Sequence, residues 1–164
     1  MKKKEIFIIF VLVMFAQGIK FLMDNLLLHG RIEIIPSFFS LTWVKNTGAA
    51  WSFFENQTFF LIVISFLCLI FLTVIKNTIK DGTLKFWAIS LLYAGILGNL
   101  IDRIFFGYVK DYLSFTLFHY SFPVFNLADT FIVLGAFLFV ITVLKEDSCH
   151  GKNFSIRRRK STNR

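Results

Sequence analysis

Residues 58–75 read TFFLIVISFLCLIFLTVI, a run with no charged side chain. A stretch this long and this uniformly apolar is read as a helix that crosses the hydrocarbon core of a bilayer. Lys76, Lys80 and Lys85 follow it at once, so the run ends at a basic segment. Working outward, three further apolar stretches appear, at 6–28, 86–106 and 125–144. Four spans use about half the chain and leave no room for a large soluble domain. The composition agrees: of 164 residues 56% are hydrophobic, 17% are charged and 23 are Phe. Mean hydropathy is +0.68. A water-soluble globule of this size cannot clothe its core with so few polar residues, which excludes a secreted or cytosolic domain. The reading is an all-α membrane protein, one integral domain over residues 1–164.

The first stretch could be taken for a secretory signal peptide, since Lys2, Lys3 and Lys4 precede it. It is longer than a signal core, and Ala16-Gln17-Gly18 is followed by more apolar sequence rather than a cleavage site. It is therefore read as the first span. The net charge of +8 comes from 18 basic residues, and most of them fall in Lys2–Lys4, in Lys76, Lys80 and Lys85, and in the tail from Lys145 to Arg164. These segments flank the apolar runs as cytoplasmic loops do, so both termini are expected in the cytoplasm. The tail Arg157-Arg158-Arg159-Lys160 reads as an anchor on anionic lipid, not as a nucleic-acid site. Cys68 and Cys149 are far apart and have no metal-ligand company, and His29, His119 and His150 are scattered, so no disulfide framework, metal or cofactor is expected.

Two segments, 29–57 and 107–124, are left on the outer side. Alternation over 31–35 and the Thr, Trp and Val of 41–45 predict short strands in the first. Thr47-Gly48-Ala49-Ala50 is a small-residue turn, and Trp43, Trp51, Phe53 and Phe54 suit the lipid headgroups.

Polar groups at membrane depth are few, and ionisable ones are costly there, so those that occur carry information. They are Gln17 and Lys20 in span one, Asn99, Asp102 and Arg103 in span three, and Asn126, Asp129 and Thr130 in span four, all near the outer ends. Asn99, Asp102 and Arg103 share a helical face, as do Asn126 and Asp129. Asp102 with Asn99 reads first as a structural polar patch joining helices. Asp111 and Asp129 have no basic partner on their own faces and belong at one depth. Two carboxyls held close cannot both ionise easily, so one can act as base towards water while the other donates a proton to a scissile carbonyl. On the residues alone, a catalytic dyad, an ion relay and purely structural carboxylates all remain open.

At these positions the sequence resembles the lipoprotein signal peptidases, the signal peptidase II family of bacterial membrane aspartic peptidases. The resemblance rests on Asn46-Thr47-Gly48-Ala49-Ala50, Gly98-Asn99-Leu100-Ile101-Asp102-Arg103, Gly107-Tyr108-Val109-Lys110-Asp111-Tyr112 and Phe125-Asn126-Leu127-Ala128-Asp129, in that order along nearly the whole chain. It implies four spans, a small extracytoplasmic sheet and a short outer helix. It also implies that Asp111 and Asp129 are catalytic, and that Asn46, Gly48, Asn99, Asp102, Arg103, Asn126, Gln17 and Lys20 order them or bind substrate. The implied substrate is a diacylglyceryl prolipoprotein, cut just before its lipidated cysteine at the outer face of the bacterial inner membrane. Membrane lipid is the other partner, nucleic acid is not one, and globomycin sensitivity is implied. Oligomeric state is left open, with a monomer as the default.

The chain departs from the family in span one, where an Asp-Gln-x-Thr-Lys pattern reads Ala16-Gln17-Gly18-Ile19-Lys20. Trp51 and Tyr112 stand where Phe is commoner. Without an acid at 16, Lys20 is expected to pair with Asp24 or to reach the outer surface. The main alternative function is a small ion or proton carrier using Asp102, Asp111 and Asp129, and a further one is a scaffold that binds through its aromatic outer loop. A carrier needs polar groups across the whole membrane depth, whereas here they gather towards one side. Residues 29–57 are expected to fold over the dyad as a lid.

Overall fold

A computed structural model describes residues 2–27, 30–49, 53–118 and 120–162, with side chains as far as residue 146. Trp51, His29 and His119, and the side chains of Cys149 and His150, lie outside the described residues. Four long helices, α1 (Lys3–Leu26), α2 (Thr58–Ile75), α3 (Thr83–Phe106) and α4 (Leu127–Thr162), form the body. Each is long and apolar enough to cross a membrane, α4 over Leu127–Glu146. Phe7, Phe59, Phe71 and Val133 point outward, each more than 60% exposed. Apolar surface on that scale is costly in water and suits hydrocarbon.

Helix α3 is the central element, and small and polar residues line its buried face. Ala88, Ile89, Tyr93, Ala94, Gly98 and Asn99 are buried along it, against Val13 and Ala16 of α1, Leu72 of α2 and Phe131 of α4. Small side chains let α3 and α4 approach closely. A Cβ at Gly95 would run into the Ala128 carbonyl oxygen and the Ile132 side chain, and one at Gly135 would meet Leu92. The contact at Gly95 lays the first turn of α4 across α3 one turn before Asn99. Gly107, in the left-handed region at φ 79°, ends α3 by returning its N–H to the Arg103 carbonyl.

The inter-helix segments on the sheet side carry β1 (Ile32–Ile35) and β2 (Phe39–Asn46) before α2, and β3 (Val109–Leu117) and β4 (Tyr120–Ser121) between α3 and α4. They form one antiparallel sheet in the order β1-β2-β3-β4. In the β2–β3 register Asn46 faces Val109 and Val44 faces Asp111, beyond an irregularity between Leu41 and Val44. The chain then folds back so that Phe125 bridges Leu113. The predicted strands of the first outer segment form. The second segment, left without secondary structure in the sequence reading, is also strand, because Val109–Leu117 is rich in β-branched and aromatic residues and β2 offers it a partner edge. The expected short outer helix does not occur among the described residues. Residues 53–56 make turns, and 107–117 are committed to the sheet after the α3 stop.

The opposite end of the bundle is tied by charges. Lys2 bonds Asp81 at 2.6 Å, Lys76 faces Glu5 at 3.7 Å, and the Lys80 amide meets the Glu146 carboxylate at 3.3 Å. The beginning of α1, the α2–α3 connection and the end of the apolar part of α4 therefore share one end, and the sheet occupies the other.

Candidate active site

The site begins with the start of α4. Asn126 is the residue before its first turn, and its Oδ1 accepts from the amides of Ala128 at 2.7 Å and Asp129 at 3.2 Å. Asp129 reaches back, accepting the Asn126 amide on Oδ2 at 3.0 Å. This is a reciprocal capping box, which satisfies helix-start donors and fixes the Asp129 rotamer. The other half of the Asn126 side chain points away from the helix. Its Nδ2 donates to Asp111 Oδ1 at 2.7 Å and to Asn99 Oδ1 at 3.2 Å. One fully buried asparagine thus holds both carboxylates, Asp129 through its backbone amide and Asp111 through its side chain.

The second oxygen of each carboxylate is held from a different element. Asn46, at the end of β2, donates from Nδ2 to Asp111 Oδ2 at 2.7 Å, and its Oδ1 accepts the Gly48 amide at 2.9 Å. Asn99 of α3 donates from Nδ2 to Asp129 Oδ1 at 2.7 Å. Both aspartates are therefore bound by neutral amide donors. No cation forms an ion pair with either among the described residues, so the negative charge is stabilised without a fixed counter-ion.

Behind this layer lies a buried ion pair. Lys20 of α1 donates from Nζ to Asp102 Oδ2 at 2.8 Å and to Asn99 Oδ1 at 3.1 Å, with both charged side chains no more than 1% exposed. Gln17 donates to Asp102 Oδ1 at 3.1 Å and to the Gly98 carbonyl at 2.8 Å, and the Lys110 amide donates to Asp102 Oδ2 at 3.1 Å. Lys20 and Asn126 both bond the Asn99 oxygen, which leaves its NH2 no orientation except towards Asp129.

The expected partner of Lys20 is thereby corrected. It is Asp102 on another helix rather than Asp24 on its own, because a buried ammonium needs a partner that is also out of water. Asp24 instead takes the Trp43 indole N–H at 2.8 Å and the Lys110 ammonium. Ala16 is fully buried in the apolar cluster below, and Gln17 and Lys20 still connect α1 to α3. The expectation that Asp102 with Asn99 joins helices agrees with these contacts. Arg103 turns the other way, donating to the Gly48 carbonyl at 3.0 Å and so tying the turn after β2 to α3.

Burial holds the Asp111 carboxyl well above the usual carboxylate range, at about 6, and the negative charge of Asp129 pushes in the same direction. The amides of Asn126 and Asn46 and the more distant charge of Lys20 oppose that shift. An acid of this kind changes protonation near neutral pH. Beside it, Tyr112 is buried with its hydroxyl accepting the Leu127 amide at 3.2 Å, and burial pushes the phenol up to about 12, so it stays neutral. A cavity of about 440 Å³ opens onto Asp111 from the sheet side, bounded by Asn46, Gly48, Glu55, Ser121 and Pro123.

Asp111, Asp129, Asn46, Asn99, Asn126 and, through Asn99, Lys20 are brought into one hydrogen-bonded group. Asp102 and Gln17 support it from behind, and Gly48 and Arg103 lie at its rim. Sequence reasoning overlooked the capping box, although Asn-x-x-Asp before an apolar run is a variant of its Ser/Thr-x-x-Asp/Glu signature. It also overlooked the Lys110 amide, Tyr112 and the contacts of Asp24, none of which leaves a local signal because each partner is distant in sequence.

Fold and site together define a multi-pass membrane protein with two amide-bound carboxylates under a small sheet at one end of its bundle. The model of the Signal peptidase (SPase) II family matches residues 8–145. Lipoprotein signal peptidases of Staphylococcus aureus strains Newman and N315 are each 38% identical over 148 residues, covering 88% of this chain and 90% of theirs. A bacterial membrane enzyme solved by the in meso method at 2.3 Å resolution superposes with a TM-score of 0.77 at 36% identity, over 88% of this chain and 90% of its own. A second, at 1.9 Å resolution, gives 0.74 at 36% identity, over 87% and 93%. The chain belongs to the signal peptidase II family, the lipoprotein signal peptidases, which are proteases.

Proposed function

We propose that the protein is an aspartic endopeptidase that removes the signal peptide from diacylglyceryl prolipoproteins by hydrolysing the bond just before the lipidated cysteine. The observation that carries this reading is the double engagement of Asn126 with Asp111 and Asp129. It joins two carboxyls that, one being buried and both being acidic, favour sharing a proton. In the singly protonated pair, the ionised carboxylate takes a proton from water as the oxygen attacks the scissile carbonyl carbon, and the protonated one gives its proton to the carbonyl oxygen. The resulting gem-diol collapses as the leaving amine is protonated, which returns the pair to one shared proton. Asn46, Asn99 and Asn126 hold the carboxylates through this exchange without pinning the charge on either, and Arg103 with Gly48 shapes the rim where substrate backbone arrives.

The basic segments Lys2–Lys4, Lys76–Lys85 and 145–164 favour a cytoplasmic position for both termini, which sets the aspartates at the outer face of the inner membrane. A lipid-anchored substrate presents its scissile bond at that depth, and the apolar helix flanks suit its acyl chains. The monomer is taken as the working unit.

The test is cleavage of a diacylglyceryl-modified prolipoprotein by the purified chain in detergent, alongside Asp111→Asn and Asp129→Asn. Loss of cleavage in both variants, with melting temperatures showing that they are folded, is the expected result. Cleavage retained at the parental rate in either variant would overturn the dyad.

A further inference from the structure

The end of the bundle remote from the aspartates carries a second concave site. A cavity of about 730 Å³ opens where α1 begins, α2 ends and α3 begins. Lys2, Lys4, Lys76 and Lys85 line it, against only Glu5 and Asp81. Asp81 is already shared, bonding Lys2 at 2.6 Å and Lys85 at 3.0 Å. Glu5 faces Lys76 at 3.7 Å, too far for a hydrogen bond, and Lys4 has no ion-pair partner among the described residues. Four ammonium groups around two carboxylates leave an excess of positive charge.

Two other features ask for an anion here. The Lys76 side chain is only 9% exposed, with its ammonium 5.9 Å from the centre of the Tyr93 ring, so a nearly buried cation has one long ion pair and an aromatic face for company. Helix α3 starts at the cavity wall, and its capping position, Gly82, has no side chain to cap the helix, while the first turn contains no acid. Gly82 and Thr83, at the start of this 24-residue helix, thus line the same space as the lysines, an arrangement that suits a phosphate group.

The surroundings favour a lipid as the bearer of that phosphate. Trp87, one turn into α3, lines the cavity with its ring edge-on to Phe86 and 42% exposed, as at a headgroup boundary. Phe7 of α1 and Val74 of α2, each within about a turn of a cavity lysine, point outward and are 63% and 64% exposed. Acyl chains leaving a phosphate in the cavity would lie on these residues.

We propose that this cavity binds the phosphodiester headgroup of an anionic phospholipid, a lipid site separate from the one that receives the substrate. Native mass spectrometry of the full chain, released from detergent and titrated with phosphatidylglycerol, phosphatidylcholine or inorganic phosphate, tests it. The comparison is between Lys4→Gln/Lys85→Gln and Lys3→Gln/Lys145→Gln, which removes the same charge outside the cavity. The parent is expected to retain one phosphatidylglycerol in preference to phosphatidylcholine. The cavity variant should bind it about 25-fold more weakly, about fivefold for each lysine near the surface, and the control variant within about twofold of the parent. Melting temperatures check that each variant is folded, and should the double cavity variant unfold, Lys4→Gln alone carries the comparison at about fivefold. Equal weakening in the control variant, or no preference of the parent between the two lipids, overturns the proposal. Displacement of the lipid by millimolar inorganic phosphate overturns the lipid source and leaves a soluble-phosphate site.

Discussion

Replacing Asn126 separates the two tasks its side chain performs. In Asn126→Ser the hydroxyl can still accept the Ala128 and Asp129 amides, but nothing reaches Asp111 Oδ1, now bonded at 2.7 Å. In Asn126→Ala both tasks are lost. Removing a helix cap costs about 1 kcal/mol, and removing a charge-assisted hydrogen bond in a buried site costs about 1.5–3 kcal/mol. Alanine should therefore destabilise the fold by about 2.5–4 kcal/mol and serine by about 1.5–3 kcal/mol, read from unfolding in detergent micelles. The pH profile gives the sharper reading. In the proposed mechanism the pair holds one proton and loses it as pH rises through the Asp111 value of about 6. The Asn126 amide favours ionised Asp111, so its removal makes the proton harder to lose. The basic limb of cleavage should move up by about one pH unit in both variants, since about 1.5 kcal/mol of lost stabilisation corresponds to that distance. A basic limb that stays in place in a folded Asn126→Ser variant would refute the bridging role, and one that moves down would reverse its sign.

Three further outcomes follow from the same contacts. Because the pKa of Asp111 is raised on folding from 3.8 to about 6, its contribution to stability is complete below about pH 4 and is lost as pH rises through about 6, by up to about 3 kcal/mol. Melting temperature should fall over that window in the parent, and Asp111→Asn should flatten the fall; parallel slopes would count against the burial effect. Lys20→Met or Asp102→Leu alone should cost about 3–5 kcal/mol by stranding a buried charge, while the double variant should cost much less than the sum, as a double-mutant cycle by unfolding would measure. Gly48→Ala sets a Cβ 2.7 Å from the Phe53 carbonyl oxygen and 3.2 Å from the Glu55 amide, so the turn must move off Arg103 and away from Asn46. The expected loss in kcat/KM is about tenfold or more, with a small change in melting temperature, since a displaced positioning group affects rate before stability.

The helices were legible because a bilayer demands long apolar runs, and that demand is written into consecutive residues. The rarity of ionisable groups in those runs drew attention to Asp129, Asn99 and Asp102. Asp111 was legible as a residue but not as a strand residue, because its place depends on β2 offering a free edge across the intervening α2 and α3. The partner of Lys20 was misread for a related reason. Local spacing favours Asp24 four residues on, whereas burial of the ammonium favours Asp102, which only helix packing brings near. The outer helix implied by the family resemblance is absent from the described residues because the segment after Gly107 finds strand partners immediately.

The order of the elements along the chain also bears on when the protein can first act. Asn46 arrives with the first outer segment, Asn99 with the third helix and Asp111 directly after it, but Asn126 and Asp129 belong to the first turn of the fourth helix. That turn is held where Ala128, Ile132 and Gly135 of the following helix pack against Gly95, Gly98 and Leu92 of α3. A chain still being synthesised, with its last span unmade or not yet inserted, has one carboxylate and no partner for it. If the proposed dyad does the chemistry, proteolytic competence is the final event of membrane insertion, and a chain cut short anywhere before its last span should show no cleavage.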